Sequence, residues 1–105
     1  MDRMDAILTK LGERINEWEG ASREAIEAET NFKSYEASIQ KAHMDAGSSA
    51  AKAQAETRST REWAEQYKAT QLASLMAKKL DKQLNLGELM FRAEQTKQAN
   101  QRQIV

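Results

Sequence analysis

The sequence predicts an all-α protein, a long antiparallel helical hairpin of coiled-coil type that dimerisation completes to a four-helix bundle. Three observations predict it. The 105 residues include no proline, so nothing forces a helix to break. Ala, Glu, Lys, Gln and Arg, all strong helix formers, are the common residues, while valine occurs once, as Val105. Counting by sevens from Met4 gives Met4, Leu11, Trp18, Ala25, Phe32, Ile39 and Ala46, apolar at every place.

The spacing predicts a first helix over 3–45. Asp2 stands at its N-cap with Asp5 three residues on, and carboxylates there oppose the positive end of the helix dipole. The companion apolar positions run Leu8, Ile15, Ala21, Ala28, Tyr35 and Ala42, shifting phase as a 3.6-residue helix drifts against a seven-residue repeat. Gly12 and Gly20 interrupt this arm, each costing about 1 kcal/mol relative to Ala, and mark a kink or a close helix approach. Gly20 with Ser22 also fits the end of one helix and the N-cap of another. Over 46–49, Ala46-Gly47-Ser48-Ser49 supplies a glycine for a left-handed C′ position and then a Ser N-cap, which makes this the one clear turn.

A second helix is expected over 50–92. It carries Thr60, Trp63, Tyr67, Thr70, Ala73, Ala77, Leu80, Leu84, Gly87 and Phe91 at steps of three and four, with Gly87 a further candidate for a kink or close approach. The short connection forces the arms antiparallel, so residue i should face roughly residue 96 minus i within one domain spanning 1–105. Residues 93–105 form a polar helical extension, expected to fray unless bound. The packing and oligomer interface should use Leu11, Ile15, Trp18, Phe32, Ile39, Trp63, Tyr67, Leu80, Leu84 and Phe91. Leu72, Leu75, Met76, Leu86, Leu89 and Met90 lie off that stripe and give the second arm another apolar face, to be covered by a second hairpin or by another protein.

Composition narrows the function classes. Seventeen of the apolar residues are alanine, so the core is thin and stability should lean on a partner. No cysteine is present, which removes disulfides, thiol catalysis and Cys-based zinc sites and suits a reducing cytoplasm. No stretch reads as a membrane span, and Met1 to Asp5 lacks the layout of a signal peptide, so a soluble cytoplasmic protein is expected. Sixteen cations balance sixteen anions overall, but residues 1–47 carry ten acidic against six basic side chains and residues 68–105 three against seven. Complementarity between paired arms is the simpler account. The alternative is a strip for nucleic-acid phosphates made of Lys78, Lys79, Lys82, Arg92, Lys97 and Arg102, although these do not share one helical face and no aromatic is interleaved with them.

No constellation for chemistry stands out. His43, the only histidine, falls one turn before Gly47, where a cation suits the helix C-terminus. Glu24, Glu27 and Glu36 lack His or Cys companions and read as a solvated face. A hairpin offers no shell to hold a Ser, His and acid away from water, so no enzyme, metal or cofactor is expected.

Trp18-Glu19-Gly20 resembles the WxG motif of small secreted helical hairpins, but there the motif forms the turn between the helices, whereas the turn here is Gly47-Ser48-Ser49. That function is not carried over. In layout and composition, the stretch from Leu8-Thr9-Lys10-Leu11-Gly12-Glu13-Arg14 through Ala46-Gly47-Ser48-Ser49-Ala50-Ala51-Lys52-Ala53 is similar to small all-helical proteins encoded by tailed bacteriophages. The similarity covers about the first half of the chain and implies a host-cytoplasm setting and a non-catalytic binding role. The expectation is a self-associating, dimeric protein–protein interaction module that binds a further protein for regulation, inhibition or assembly.

Overall fold

The computed structural model describes residues 2–104, with the side chains of 2–102; Met1 and Val105, the ends of the expected domain, lie outside the described residues. These residues form three helices and no strand: α1 (Arg3–Asp45), α2 (Ala50–Arg58) and α3 (Arg61–Ile104). Helix α1 starts where the Asp2 carboxylate accepts the Asp5 amide at 2.8 Å. It is one helix through Gly12 and Gly20, and a Cβ added at either would meet nothing within 4 Å. Neither glycine marks a break or a close approach. At the other end Gly47 takes φ +108°, and its amide and that of Ser48 close back on the carbonyls of Met44 and His43 at 3.0 and 3.1 Å. Ser49 then caps α2 by accepting the Lys52 amide at 3.3 Å.

The single helix expected over 50–92 is two helices. Hydroxyls near residue 57 compete with the backbone ladder. Thr57 donates to the Ala53 carbonyl at 2.8 Å and Ser59 to Glu56 at 2.8 Å, while the Thr60 hydroxyl donates to the Thr57 carbonyl at 3.0 Å and accepts the Trp63 amide at 3.2 Å. Thr60 therefore leaves the apolar stripe and becomes the N-cap of α3. Helix α3 runs on through the polar extension to Ile104, with Glu94 half-buried and paired to Arg3 at 3.2 Å.

Contacts within the chain gather into two units, one of Ser22–Leu75 and one of Met1–Ala21 with Met76–Val105. Helices run antiparallel within each. In the first, Phe32 meets Trp63, Glu36 meets Arg58 and His43 meets Glu56. In the second, Leu11 meets Gly87 and Arg3 meets Glu94. All these pairs fall within about three residues of the expected register.

The seam keeps a stricter seven-residue repeat than expected. On α1 it runs Met4, Ile7, Leu11, Trp18, Ala21, Ala25, Ala28, Phe32, Tyr35 and Ile39, while Leu8 and Ile15 are exposed, Ile15 to 44%. On α3 it runs Trp63, Gln66, Thr70, Ala73, Ala77, Leu80, Leu84, Gly87 and Phe91, with Gln66 where Tyr67 was expected. Slight underwinding holds a heptad seam against its partner helix, so the phase does not drift. Only Ala53, Thr57 and Leu80 are classed as buried among the described side chains, which is the thin core that the alanine content implies.

Candidate functional site

In the Ser22–Leu75 unit the aromatic side chains converge. Trp63 and Tyr67, one helical turn apart on α3, stack with centroids 5.0 Å apart and planes 10° from parallel. Phe32 of α1 meets both at a tilt, at 5.7 and 5.9 Å. The Trp63 indole N–H donates to Glu36 at 2.6 Å, Arg58 of α2 lies 3.5 Å from the same carboxylate oxygen, and its guanidinium sits 5.9 Å from the indole centroid. An open cleft of about 450 Å³ lies beside them, bordered also by Thr70 and Ser74. Glu36 is thus not on the solvated face expected for it; Glu24 and Glu27 are. A buried indole seeks an acceptor, and the antiparallel register already brought Trp63 within one turn of Glu36, so the signal was present.

The turn end of this unit is tied by Glu56, which sequence reasoning missed. Its carboxylate lies 2.8 Å from His43 Nδ1, accepts the Ser48 hydroxyl at 3.3 Å and stands 3.8 Å from Lys52. His43 does lie in the last turn of α1, but its partner is this carboxylate. Nearby, the Tyr35 phenol is held above its ordinary pKa of 10.0, first by loss of solvent and then by the Glu62 carboxylate.

In the other unit an apolar groove of about 190 Å³ runs between α1 and α3, walled by Ile7, Leu11, Gln83, Leu86, Gly87 and Met90, with Lys10 and Arg14 on its rim. Gly87 makes the close approach expected of it. A Cβ there would stand 2.5 Å from Leu11 Cδ2, so the missing side chain lets Leu11 lie on the α3 backbone.

Of the ten expected packing residues, Leu80 is buried and Leu11, Trp18, Phe32, Ile39, Trp63, Leu84 and Phe91 are half-buried. Ile15 and Tyr67 are exposed, although Tyr67 keeps its stacking contacts. The six off-stripe residues Leu72, Leu75, Met76, Leu86, Leu89 and Met90 are all exposed, by 49 to 60%. Leu72 and Leu75 belong to the Ser22–Leu75 unit and the other four to its neighbour.

The six expected cations, Lys78, Lys79, Lys82, Arg92, Lys97 and Arg102, are exposed, and none joins an ion pair among the described residues. At about 100° per residue they spread round α3 rather than forming one strip. Ion pairs between an acidic first arm and a basic second arm, as expected, include Glu36 with Arg58, but the cross-arm pairs do not all run in that sense. Arg3 with Glu94 has the opposite sense, because what decides a pair is which side chains flank the seam rather than the net charge of an arm. Among the described residues no helix is long and apolar enough to cross a membrane. Comparison with protein-family models, with curated proteins and with solved structures gave no match.

Proposed function

We propose that this chain is a non-catalytic protein–protein interaction module, which self-associates so that two hairpins complete a four-helix bundle and which binds a protein partner for regulation, inhibition or assembly. One observation carries the reading: Leu72, Leu75, Met76, Leu86, Leu89 and Met90 are all exposed, by 49 to 60%. A pair of helices has no third layer to cover such side chains, and exposed apolar surface of this kind marks interaction sites. The resemblance to tailed-phage helical proteins adds a host-cytoplasm setting to the proposal. Light scattering in line with size exclusion tests it. The expected mass is twice 11.9 kDa or more; a single-chain mass at every concentration would remove self-association.

A second reading has its own observation, the six α3 cations without ion-pair partners among the described residues. In this reading the chain is a nucleic-acid-binding accessory protein. Binding to an oligonucleotide would then weaken steeply with salt, and replacing Lys78, Lys79 and Lys82 by Gln would flatten that slope. No binding at low salt ends it.

A further inference from the structure

The two sides of the helix pair made by Met1–Ala21 and Met76–Val105 differ in chemistry, and each carries what the other lacks. On the groove side α1 supplies cations, Lys10 and Arg14, while α3 supplies exposed apolar side chains, Leu86 and Met90. Lys79, seven residues before Leu86 on the same α3 row, adds a third cation. Arg14 has only a local pair, Glu17 at 2.9 Å on the exposed surface of its own helix, and such pairs hold weakly.

The opposite side reverses the pattern. Four residues after the seam positions Met4 and Leu11 come Leu8 and Ile15, exposed to 48 and 44%. Four residues after Ala77 and Leu84 come Asp81 and Glu88, both exposed and neither in an ion pair among the described residues. In an antiparallel heptad pair these two rows share one side. Gln95 and Arg102, the next members of the α3 row, border a small cavity with Met4, which puts that row against α1. Here α1 is apolar and α3 acidic, with Arg102 closing the row four turns beyond Glu88.

A two-fold pairing of either side with itself sets like charges face to face, or lays charged side chains on apolar ones. Laying the groove side of one copy on the opposite side of the next, α1 over α3, brings complementary groups together: Leu8 and Ile15 meet Leu86 and Met90, while Asp81 and Glu88 meet Lys10 and Arg14. The spacings agree. Asp81 to Glu88 spans about 10.5 Å and Lys10 to Arg14 about 6 Å, a difference that long basic side chains absorb. We infer that copies of this chain associate heterologously, groove side to opposite side, so that the assembly does not close at two chains. This rests on the self-association proposed above and names its surfaces, but replaces a closed pair by an open series in which each contact between two hairpins makes a four-helix layer.

The test uses the full chain and two double variants at exposed positions, Leu86→Gln with Met90→Gln and Leu8→Gln with Ile15→Gln, each checked for unchanged helicity by circular dichroism. Scattering mass is then read across a hundredfold concentration range. Wild type should grow past two chains as concentration rises, each variant alone should remain a single chain, and an equal mixture of the two should give a one-to-one complex that grows no further. A variant that keeps the wild-type mass, or a mixture that forms no complex, overturns the heterologous contact and leaves self-association standing. A wild type that stays single-chain throughout overturns both.

Discussion

Replacing Gly20 by Ala should stabilise the protein. The position lies inside α1 with space around its missing side chain, since an added Cβ meets nothing within 4 Å. The gain is the helix-propensity gap between Gly and Ala, about 0.8–1.0 kcal/mol. For a chain of this size that is a rise of about 4–8 °C in Tm at fixed protein concentration. Gly87→Ala supplies the contrast. It carries the same propensity gain, but its Cβ would press on Leu11 Cδ2 at 2.5 Å while Leu11 Cγ, at 3.6 Å, is in ordinary contact. The end of Leu11 must turn out of its well, at a cost of about 0.5–1.5 kcal/mol, so the net change should be near zero. Urea melts of both variants, followed by circular dichroism at one concentration, make the comparison. A Gly20→Ala midpoint below wild type would mean that α1 is not helical there, and equal gains at the two sites would remove the contact between Leu11 and Gly87.

Other outcomes follow from the same structure. Gly47→Ala should lose about 1–2 kcal/mol, because φ +108° is a conformation that a side chain disfavours; an unchanged midpoint would argue against this turn. Trp63→Ala removes a stack, one tilted contact and the donor to Glu36, and because Trp63 is only half-buried the loss should be about 2–3 kcal/mol, below the range for a fully buried tryptophan. Loss of the near-ultraviolet dichroism of the stacked pair should accompany it, and a retained signal would place the stack elsewhere. Thr60→Ala should cost about 1 kcal/mol and Thr60→Asp much less, since Asp also caps; equal effects would deny Thr60 its N-cap role. Tyr35 sets a pH dependence. Its folded pKa lies above 10.0, so its contribution is whole below that pH and is lost as pH rises, because the unfolded chain ionises first. Tyr35→Phe should flatten the alkaline fall in Tm, and a slope identical to wild type would sink this assignment.

Much of the fold was legible because its signals are local. Asp2, Gly47 and Ser49 act within four residues of themselves, and the heptad from Met4 repeats often enough to fix which face is buried. The short turn then sets the register without further information. The break at 59–60 was not legible, because Thr60 sits at a three-residue step from Trp63 and so reads equally well as a seam residue or a cap. Ile7 and Leu8 posed the same problem: adjacent aliphatic residues carry either phase, and only the packed partner chooses. At the candidate surfaces the exposed residues of α3 could be read from the pattern, whereas the role of Glu36 was legible only through the hairpin register and that of Glu56 not at all. Pattern reading sends isolated carboxylates to solvent, and what draws these two inward are an indole, a guanidinium and an imidazole supplied from other parts of the chain.

The junction between α2 and α3 has a mechanical consequence. Nine residues make too short a helix to persist unaided, and residues 59–60 separate α2 from α3. Two carboxylates tie α2 to α1: Glu56 meets His43 at the tip, and Glu36 Oε2 receives the indole from the far side of the junction and the guanidinium from the near side. The Glu36 carboxylate bridges the two sides of this two-residue junction. If it is withdrawn, Arg58 and the indole lose their common acceptor at the junction, while Glu56 and the buried Ala53 and Thr57 still hold the tip and the long helices that meet at Phe32 and Trp63 stay paired.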